Sequence, residues 1–537
     1  MPRGGVALAA WHTLPGVVIW VSAHDVHAGA DTAHGSFTGW DETSGLDLPA
    51  LSPHTAKQVS DRLVSRDFDA WSEAVARVGN CAHPIRLQGS SQTVDKLTGE
   101  IVASYSSSDE PLGITYVPCG NRRASECLSC SRLYAADMFH LIRAGVTGGK
   151  TVPASVADHP LVFATLTAPS FGKVHGHRGA TGSCHPGTRR LCQHGRSRTC
   201  HSLHDADADG LVGQPLCVDC YDYASHVVWQ WWAPDLWRRF TITLRRLVAK
   251  TLAVPATRLA EVATVQYAKV AEYQLRGAVH FHALVRLDGP HTPDGFAPAP
   301  EAIDANTLAK LVQAAAATVR LKVPGVDVHD PTRLLVFGRQ LDVRPVRTSR
   351  RTDDPDQALT PGQVAGYLAK YATKSADDDT GNNNTHRRRL RHTVADLATR
   401  AERTTRRHGE TESPYELLGK WVHMLGFRGH FASKSRRYSI TLSMLRRARQ
   451  RAGRLIAQTP ASARPLDLAA LEADLLADDD TETTLVIGNW QFLGTGWNTG
   501  GDTTLATAAA ARAREYAQWK AQHKKQHTHP YSRGTSR

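Results

Sequence analysis

The stretch Ala278-Val279-His280-Phe281-His282-Ala283-Leu284-Val285 decides the fold of this chain, because its apolar pattern predicts a β-strand that carries two histidines. Side chains alternate between the two faces of a strand, so both imidazoles lie on one face while Phe281 points into the core. Imidazole is a good ligand for divalent metal ions. The strand therefore predicts a metal site on one face of a sheet.

A second stretch, Tyr367-Leu368-Ala369-Lys370-Tyr371, is predicted to be helical. Residues four apart are neighbours on a helix, so Tyr367 and Tyr371 share a face, and Lys370 lies on an adjacent edge. A tyrosine acting as a covalent nucleophile, a metal acting as a Lewis acid and a lysine that steadies developing charge form an arrangement for attack on a phosphodiester. We therefore predict Tyr367, Tyr371 and Lys370 as catalytic residues.

Each of these motifs also has an ordinary structural interpretation, since short patterns often occur by chance. Their joint occurrence is more specific, because three segments in order resemble the HUH-endonuclease superfamily, and most closely the rolling-circle replication initiators of actinobacterial plasmids. Residues 163–167 (FATLT) resemble the first family motif, residues 272–282 the second, and residues 366–371 the third in its two-tyrosine form. The resemblance extends from about residue 81 to about residue 519. It implies an α+β fold with a central antiparallel sheet flanked by helices, a zinc-binding insert and an additional, mainly helical C-terminal region.

The resemblance also implies a reaction and its partners. A Mg²⁺ or Mn²⁺ ion bound by His280 and His282 would polarise a phosphate at the plasmid origin, and a tyrosine would attack it. A 5′-phosphotyrosine and a free 3′-OH would form, and the strand would later be rejoined. Glu272 is the predicted third ligand because an even number of positions separates it from His280 and from His282, as for residues on one face of a strand. Gln274 is the alternative. The expected partners are origin DNA, as duplex and as single strand, and a host helicase and polymerase.

The order in which the two tyrosines act is not determined by the residues themselves. The resemblance favours Tyr367 as the first nucleophile, with Tyr371 cleaving the regenerated origin after one round of replication.

The cysteines form groups with the spacing of metal ligands. Nine cysteines is an odd number, which argues against a closed disulfide framework. Two C-x-x-C knuckles, in which both thiolates can reach one Zn²⁺ ion, each have further cysteines upstream. The predicted ligand sets are Cys81, Cys119, Cys127 and Cys130 for one structural zinc, and Cys192, Cys200, Cys217 and Cys220 for a second. His194 is the first substitute in the second set.

Composition limits the class of partner and the compartment. The net charge of +13, with 64 lysines and arginines, favours a polyanionic partner, although codon bias in a GC-rich genome would also raise the arginine content. No stretch approaches the roughly 18 apolar residues of a membrane span, so we expect a cytoplasmic protein without a membrane partner. Residues 144–151 resemble a phosphate-binding loop, but Ala144 replaces its first glycine and Pro153 follows it. We therefore expect no nucleotide cofactor.

Changes in composition suggest domain boundaries. A polar stretch after Ser375 leads into a run of arginines, and a second basic concentration surrounds Arg446. The predicted regions are 1–70, variable and poorly ordered; 71–155, zinc-binding; 156–375, the nuclease domain with a Cys/His insert at 175–220; 376–410, a basic linker; 411–520, a C-terminal DNA-binding region; and 521–537, a disordered tail.

Three other interpretations remain open at this stage. A conjugative relaxase or a transposase would use the same metal and tyrosines, although relaxases usually add a helicase or mobilisation domain. A non-catalytic, zinc-containing DNA-binding regulator would explain the charge and the cysteines but would leave Tyr367 and Tyr371 without a role. A metallohydrolase using His280 and His282 would turn over without forming a covalent protein–DNA product.

Overall fold

The structure is a computed structural model of the chain. It describes residues 10–14, 17–21, 51–176, 182–188, 190–204, 210–293, 295–346, 361–372, 384–408, 413–458, 471–472, 475–476 and 484–527.

Helices and strands alternate irregularly along the described residues. The strands are β1 (Ala10–Leu14), β2 (Val17–Val21), β3 (Ile85–Asp95), β4 (Ile101–Ser106), β5 (Thr115–Val117), β6 (Leu161–Leu166), β7 (Thr264–Tyr273), β8 (Val279–Asp288), β9 (His291–Thr292), β10 (Gly295–Phe296), β11 (Leu321–Val323), β12 (Arg333–Leu335), β13 (Leu341–Pro345), β14 (Ala432–Lys434) and β15 (Thr484–Thr495). The helices are α1 (Pro53–Leu63), α2 (Phe68–Arg77), α3 (Leu128–Thr147), α4 (Tyr223–Thr251), α5 (Ala305–Thr318), α6 (Pro361–Ala372), α7 (Thr385–His408), α8 (Leu442–Gln458) and α9 (Gly500–His527). None of the helices in the described ranges is long and apolar enough to cross a membrane.

The chain divides into two compact units, Met1–Asp137 with Thr441–Arg537, and Met138–Ile440. This division differs from the regions predicted from composition. The C-terminal region predicted at 411–520 is shared between the units, because β14 pairs with β7 in one unit and β15 pairs with β3 in the other. Strand pairing between distant segments leaves no trace in local composition, which explains the difference.

The larger unit is built on a five-stranded antiparallel sheet with the strand order β13-β6-β8-β7-β14. The histidine-bearing strand β8 is therefore central. Its residues from Val279 to Leu287 are buried on both faces of the sheet, except for the partly buried His280. Antiparallel strands combined with helices confirm the predicted α+β class.

The two faces of this sheet have different roles. Phe281 packs against Trp237 of α4, with ring centroids 5.6 Å apart, inside a core that also contains Trp229. Asp222 is the N-cap of helix α4, and its side chain accepts a hydrogen bond from the backbone N–H of Ser225 at 2.9 Å. His282, on the opposite face of β8, turns away from this core.

The smaller unit contains a sheet in which β3 pairs with β15, β4 and β5. Its core surrounds Trp71 of α2 and Trp497, whose ring centroids lie 5.6 Å apart in an edge-on arrangement. The 12-residue strand β15 lies in the C-terminal region that was expected to be mainly helical, between the helices α8 and α9.

Three segments predicted as irregular are partly regular. Residues 53–63 form α1, with Ser52 as N-cap and Pro53 in the first turn, so the predicted poorly ordered region does not extend to residue 70. Most of the predicted basic linker forms α7, whose Leu390, Val394 and Leu397 are buried in the core of the larger unit. Helix α9 continues to His527. Residues 376–383 and 409–410 of the predicted linker, and 528–537 of the predicted tail, lie outside the described residues.

Candidate active site

A tight turn brings the acidic residue next to the histidine pair. Residues 274–278 join strands β7 and β8; there Gln274 N–H donates to the Ala278 carbonyl at 2.8 Å and Gly277 adopts a positive φ of 78°. In the resulting antiparallel register Glu272 lies directly opposite His280. Side chains of directly opposed residues lie on the same face of a sheet, so the three predicted ligands share one face.

The three side chains converge on one point. Nε2 of His280 and Nε2 of His282 lie 2.9 Å and 2.8 Å from the same carboxylate oxygen, Oε2 of Glu272. Two neutral imidazoles and one carboxylate form a ligand set that suits Mn²⁺ and Mg²⁺, with positions left for water or substrate. This donor set fits the divalent ion implied by the sequence resemblance, and these three residues could hold it.

Neighbouring side chains fix the orientation of His282. Its Nδ1 lies 3.1 Å from Oγ1 of Thr165 on β6, and the ring of Phe163 stacks on the imidazole with centroids 5.7 Å apart and planes inclined by 11°. A partner on the second ring nitrogen orients a metal-ligating histidine and selects its tautomer. Residues 163–167, identified as a motif from the sequence, thus act as support for the ligands.

Burial and hydrogen bonding prepare these groups for a cation. Burial by itself disfavours the charged form of Glu272, but hydrogen bonds with His280 and His282 outweigh burial and lower the pKa of its carboxyl. Burial also lowers the pKa of His282. An ionised carboxylate beside a neutral imidazole is the protonation state that binds a metal.

Helix α6 places both tyrosines against this cluster. Oη of Tyr367 lies 3.3 Å from Nε2 of His282, and its side chain remains 40% exposed. The ring of Tyr371 lies 4.6 Å from that of Tyr367 and 5.7 Å from the imidazole of His282. Burial, together with nearby Tyr371 and Glu272, raises the pKa of Tyr367. Nζ of Lys370 lies 5.8 Å from the ring centroid of Tyr371.

Gln274, the alternative third ligand, is engaged elsewhere. Its side-chain oxygen accepts a hydrogen bond from Nε of Arg276 at 2.9 Å. The guanidinium of Arg276 also donates to the carbonyls of Ala168 and Pro169, which ties the turn to the end of β6. The structure therefore brings Glu272, and not Gln274, to the histidines.

The first predicted cysteine set comes together in the smaller unit. Cys81, Cys119, Cys127 and Cys130 have ligand atoms that all lie within 4.8 Å of one another. Sγ of Cys81 lies 3.8 Å from that of Cys127 and 3.6 Å from that of Cys130. These four thiols could hold a metal ion, and the set is typical of a structural zinc site.

The second predicted set is corrected by the structure. His194 takes the place of Cys200 beside Cys192, Cys217 and Cys220, with its Nδ1 3.3 Å from Sγ of Cys220. Cys200 joins His175, Cys184 and His204 in another group of possible metal ligands. Neither His175 nor His204 was predicted as a ligand, although the spacing of four residues between Cys200 and His204 was a signal, because the sequence alone does not show which cysteine pairs with which knuckle.

Comparisons with known proteins identify the family of the chain. Residues 67–511 match the sequence model of a family described as "Replication initiator protein, pSAM2". A replication initiator protein from Streptomyces ambofaciens is 42% identical over 469 residues, which cover 85% of this chain and 93% of the relative. No solved structure matches the chain. A match over most of the chain and high identity to a curated initiator confirm the expectation of a plasmid replication initiator, and this chain belongs to the pSAM2 replication initiator family.

Proposed function

We propose that this initiator starts rolling-circle replication by nicking one strand of its plasmid origin, with Tyr367 as the first nucleophile on an HUH-type nuclease domain. The observation that carries the proposal is the position of the Tyr367 hydroxyl, 3.3 Å from a nitrogen of His282 in a cluster of three metal ligands. The proposed nucleophile therefore lies beside the three candidate metal ligands, and its side chain is exposed enough for DNA to reach it.

His280, His282 and Glu272 would hold Mg²⁺ or Mn²⁺. When bound, such an ion supplies Lewis acidity, withdrawing electron density from a phosphate oxygen. Thr165 and Phe163 keep the imidazole of His282 in place for this role.

The reaction exchanges one phosphoester for another. Oη of Tyr367 attacks the phosphorus, and the bond from phosphorus to the 3′ oxygen breaks. The phenolic proton leaves to solvent through the exposed side of the ring, and the departing 3′ oxygen takes up a proton from solvent. The products are a 5′-phosphotyrosine and a free 3′-OH that a host polymerase can extend. Lys370, on the exposed edge of the same helix, stabilises the negative charge that develops on the phosphoryl oxygens.

Two tyrosines on one helix face allow termination without a second protein. Since Tyr371 lies beside Tyr367, it can attack the regenerated origin while the first ester is still in place. The new 3′-OH then attacks the Tyr367 ester and rejoins the strand. Because the bond energy is kept in the ester, rejoining requires no ATP, and strand separation is left to a host helicase.

The rest of the molecule would bind the origin. The net charge of +13 favours DNA, and the exposed arginines Arg388 and Arg389 of α7 lie in the same unit as the tyrosines. The cysteine-rich clusters would bind structural zinc. This arrangement supports binding of duplex and single-stranded origin DNA by the same protein.

A covalent-adduct assay tests the proposal. The full-length protein with Mn²⁺ is mixed with labelled single-stranded oligonucleotides that tile its plasmid, and products are separated on a denaturing gel. We expect a shifted band that is lost in Tyr367→Phe and kept in the matched variant Tyr371→Phe. The reverse pattern would exchange the roles of the tyrosines. The absence of an adduct on every oligonucleotide, with duplex binding intact, would instead favour a non-catalytic DNA-binding protein.

A further inference from the structure

The insert between β6 and α4 contains a second, separate group of possible metal ligands. His175, Cys184, Cys200 and His204 present two imidazole nitrogens and two sulfurs, all within 4.8 Å of one another. Cys184 and His204 are buried, and the other two are partly covered. We propose that these four residues bind a zinc ion of their own, so that the insert is a two-zinc module.

The spacing between the ligand atoms is that of a tetrahedral site. With zinc–sulfur bonds of about 2.3 Å and zinc–nitrogen bonds of about 2.0–2.1 Å, tetrahedral geometry separates two nitrogens by about 3.3 Å and a sulfur from a nitrogen by about 3.6 Å. Nδ1 of His175 lies 3.1 Å from Nε2 of His204, which lies 3.3 Å from Sγ of Cys200. Sγ of Cys184 lies 3.8 Å from Nδ1 of His175.

The backbone holds the two cysteines side by side. His185 and Cys200 exchange backbone hydrogen bonds of 2.7 Å and 3.0 Å. This pairing places Cys184 next to the chain segment that contains Cys200. The backbone N–H of Gly176 points at Sγ of Cys184 at a distance of 3.3 Å. An N–H donor directed at sulfur stabilises the thiolate form that zinc requires.

The assignment accounts for every cysteine of the chain. The smaller unit uses four in one cluster, the His194 cluster uses three, and the new site uses the remaining two, which together make the nine cysteines of the sequence. The odd count, which argued against disulfides, follows from the mixed Cys/His composition of the two sites in the insert.

The ligands of the two sites alternate along the chain in pairs. The sequence order is His175 and Cys184 for the new site, Cys192 and His194 for the other, Cys200 and His204 for the new site, and Cys217 and Cys220 for the other. Each ion therefore closes a loop that contains ligands of the other ion. Closing one loop lowers the entropy cost of closing the second, so the two ions should bind cooperatively.

The module lies against the turn that joins β7 to β8, the two strands that carry the candidate metal ligands of the active site. A Cβ on Gly213 would come within 2.5 Å of the backbone of Leu275, so the insert contacts the β7–β8 turn directly. Loss of metal from the insert should therefore loosen the turn between Glu272 and His280. The zinc assignment itself does not depend on the nicking reaction.

Zinc content of the full-length protein tests the inference. Mass spectrometry of the desalted wild-type protein should give about three zinc ions per chain. His204→Ala should lose one or two of them, two if binding is cooperative, whereas His204→Cys, which restores a ligand, should keep three. The control His201→Ala removes an exposed imidazole next to Cys200 and should also keep three.

Two results would overturn the inference. One is a wild-type content of two ions or fewer, which needs no variant and so does not depend on variant folding. The other is an unchanged zinc content in His204→Ala. X-ray absorption at the zinc edge provides a second measurement, since the proposal requires an average of three sulfurs and one nitrogen per ion over the three sites.

Discussion

The hydroxyl of Tyr367 lies 3.3 Å from Nε2 of His282, although 85 residues separate them in the sequence. The contact joins helix α6 to the face of β8 that carries the candidate metal ligands. A phenol this close to a candidate metal-ligating imidazole fits the proposed attack on a phosphate bound at the same place.

Replacement of Glu272 by Gln should weaken metal binding. The change removes the anionic ligand that both histidines approach, so Mn²⁺ affinity should fall by more than about tenfold, the loss that follows even when an outer partner of a ligand is removed. Titration calorimetry with Mn²⁺ on the zinc-loaded protein measures the effect. Gln274→Ala, whose side chain is engaged by Arg276, is the matched control and should bind Mn²⁺ normally. Equal losses in both variants would contradict the ligand assignment.

Replacement of Lys370 by Ala should slow formation of the covalent adduct. Loss of one donor that stabilises charge in a transition state lowers the rate by about 10²-fold or more in enzymes, and less where the group is solvated. We expect a loss of about 10- to 100-fold for the exposed Lys370. Lys370→Arg keeps the charge and should recover part of the rate.

The control for Lys370 is Lys310→Ala, which removes an exposed lysine from α5. Single-turnover adduct kinetics at saturating oligonucleotide separate the chemical step from DNA affinity. A loss confined to affinity would show that Lys370 only binds the backbone of the DNA.

Gly277→Ala should destabilise the larger unit and its metal site together. The positive φ costs an L-residue about 1–2 kcal/mol, and the new Cβ would meet Cδ1 of Leu390 at 2.9 Å. Because the turn aligns Glu272 with His280, the Mn²⁺ affinity should fall as well. Gly366→Ala is the control, since a Cβ there meets nothing within 4 Å and should leave stability equal or slightly higher. Unfolding in urea measures the stability of both variants.

Removal of a thiol from the smaller unit should release one zinc ion. Cys130→Ser opens the cluster around Cys81, which lies in the core beside Trp497, and structural zinc contributes directly to folding. We expect one zinc fewer per chain and a melting temperature lower by about 6–12 °C, which corresponds to about 3 kcal/mol. Ser131→Ala, at the adjacent buried position, should keep its zinc. An unchanged zinc content in Cys130→Ser would contradict the assignment.

His386 should make the larger unit sensitive to acid. Burial lowers the pKa of His386 to about 4, whereas the same imidazole in the unfolded chain has a pKa of about 6.5. Between these pH values the imidazole is neutral in the folded state and protonated in the unfolded state. Stability is therefore complete above pH 6.5 and falls as the pH decreases towards 4, by about 2 kcal/mol at pH 5. In His386→Gln this part of the loss between pH 7 and pH 5 should disappear.

Urea unfolding at the two pH values measures the effect of His386. Tyr223→Phe removes the hydroxyl that lies 3.0 Å from Nδ1 of His386 but leaves the buried imidazole, so it should retain the pH dependence. An identical pH dependence in wild type and His386→Gln would show that other groups cause the loss of stability in acid.

The residue types of the site and the class of the fold could be predicted from the sequence alone. Alternation placed His280 and His282 on one face of a strand, and helical spacing placed Tyr367 beside Tyr371, because both arrangements depend only on local backbone geometry. The α+β class and the replication initiator family were predicted from the same motifs.

The tertiary structure decided which distant groups meet. Glu272 was predicted by parity along the chain, but its place beside His280 comes from the register of a tight turn at Gly277. Cys200 was assigned to the wrong cluster, and β15 was not predicted, because partners such as Cys184 and Cys200, or β15 and β3, are distant in the sequence and are selected by packing and loop closure. Local patterns encode helices, strands and faces; the pairing of ligands and strands across the chain is fixed only when the core forms.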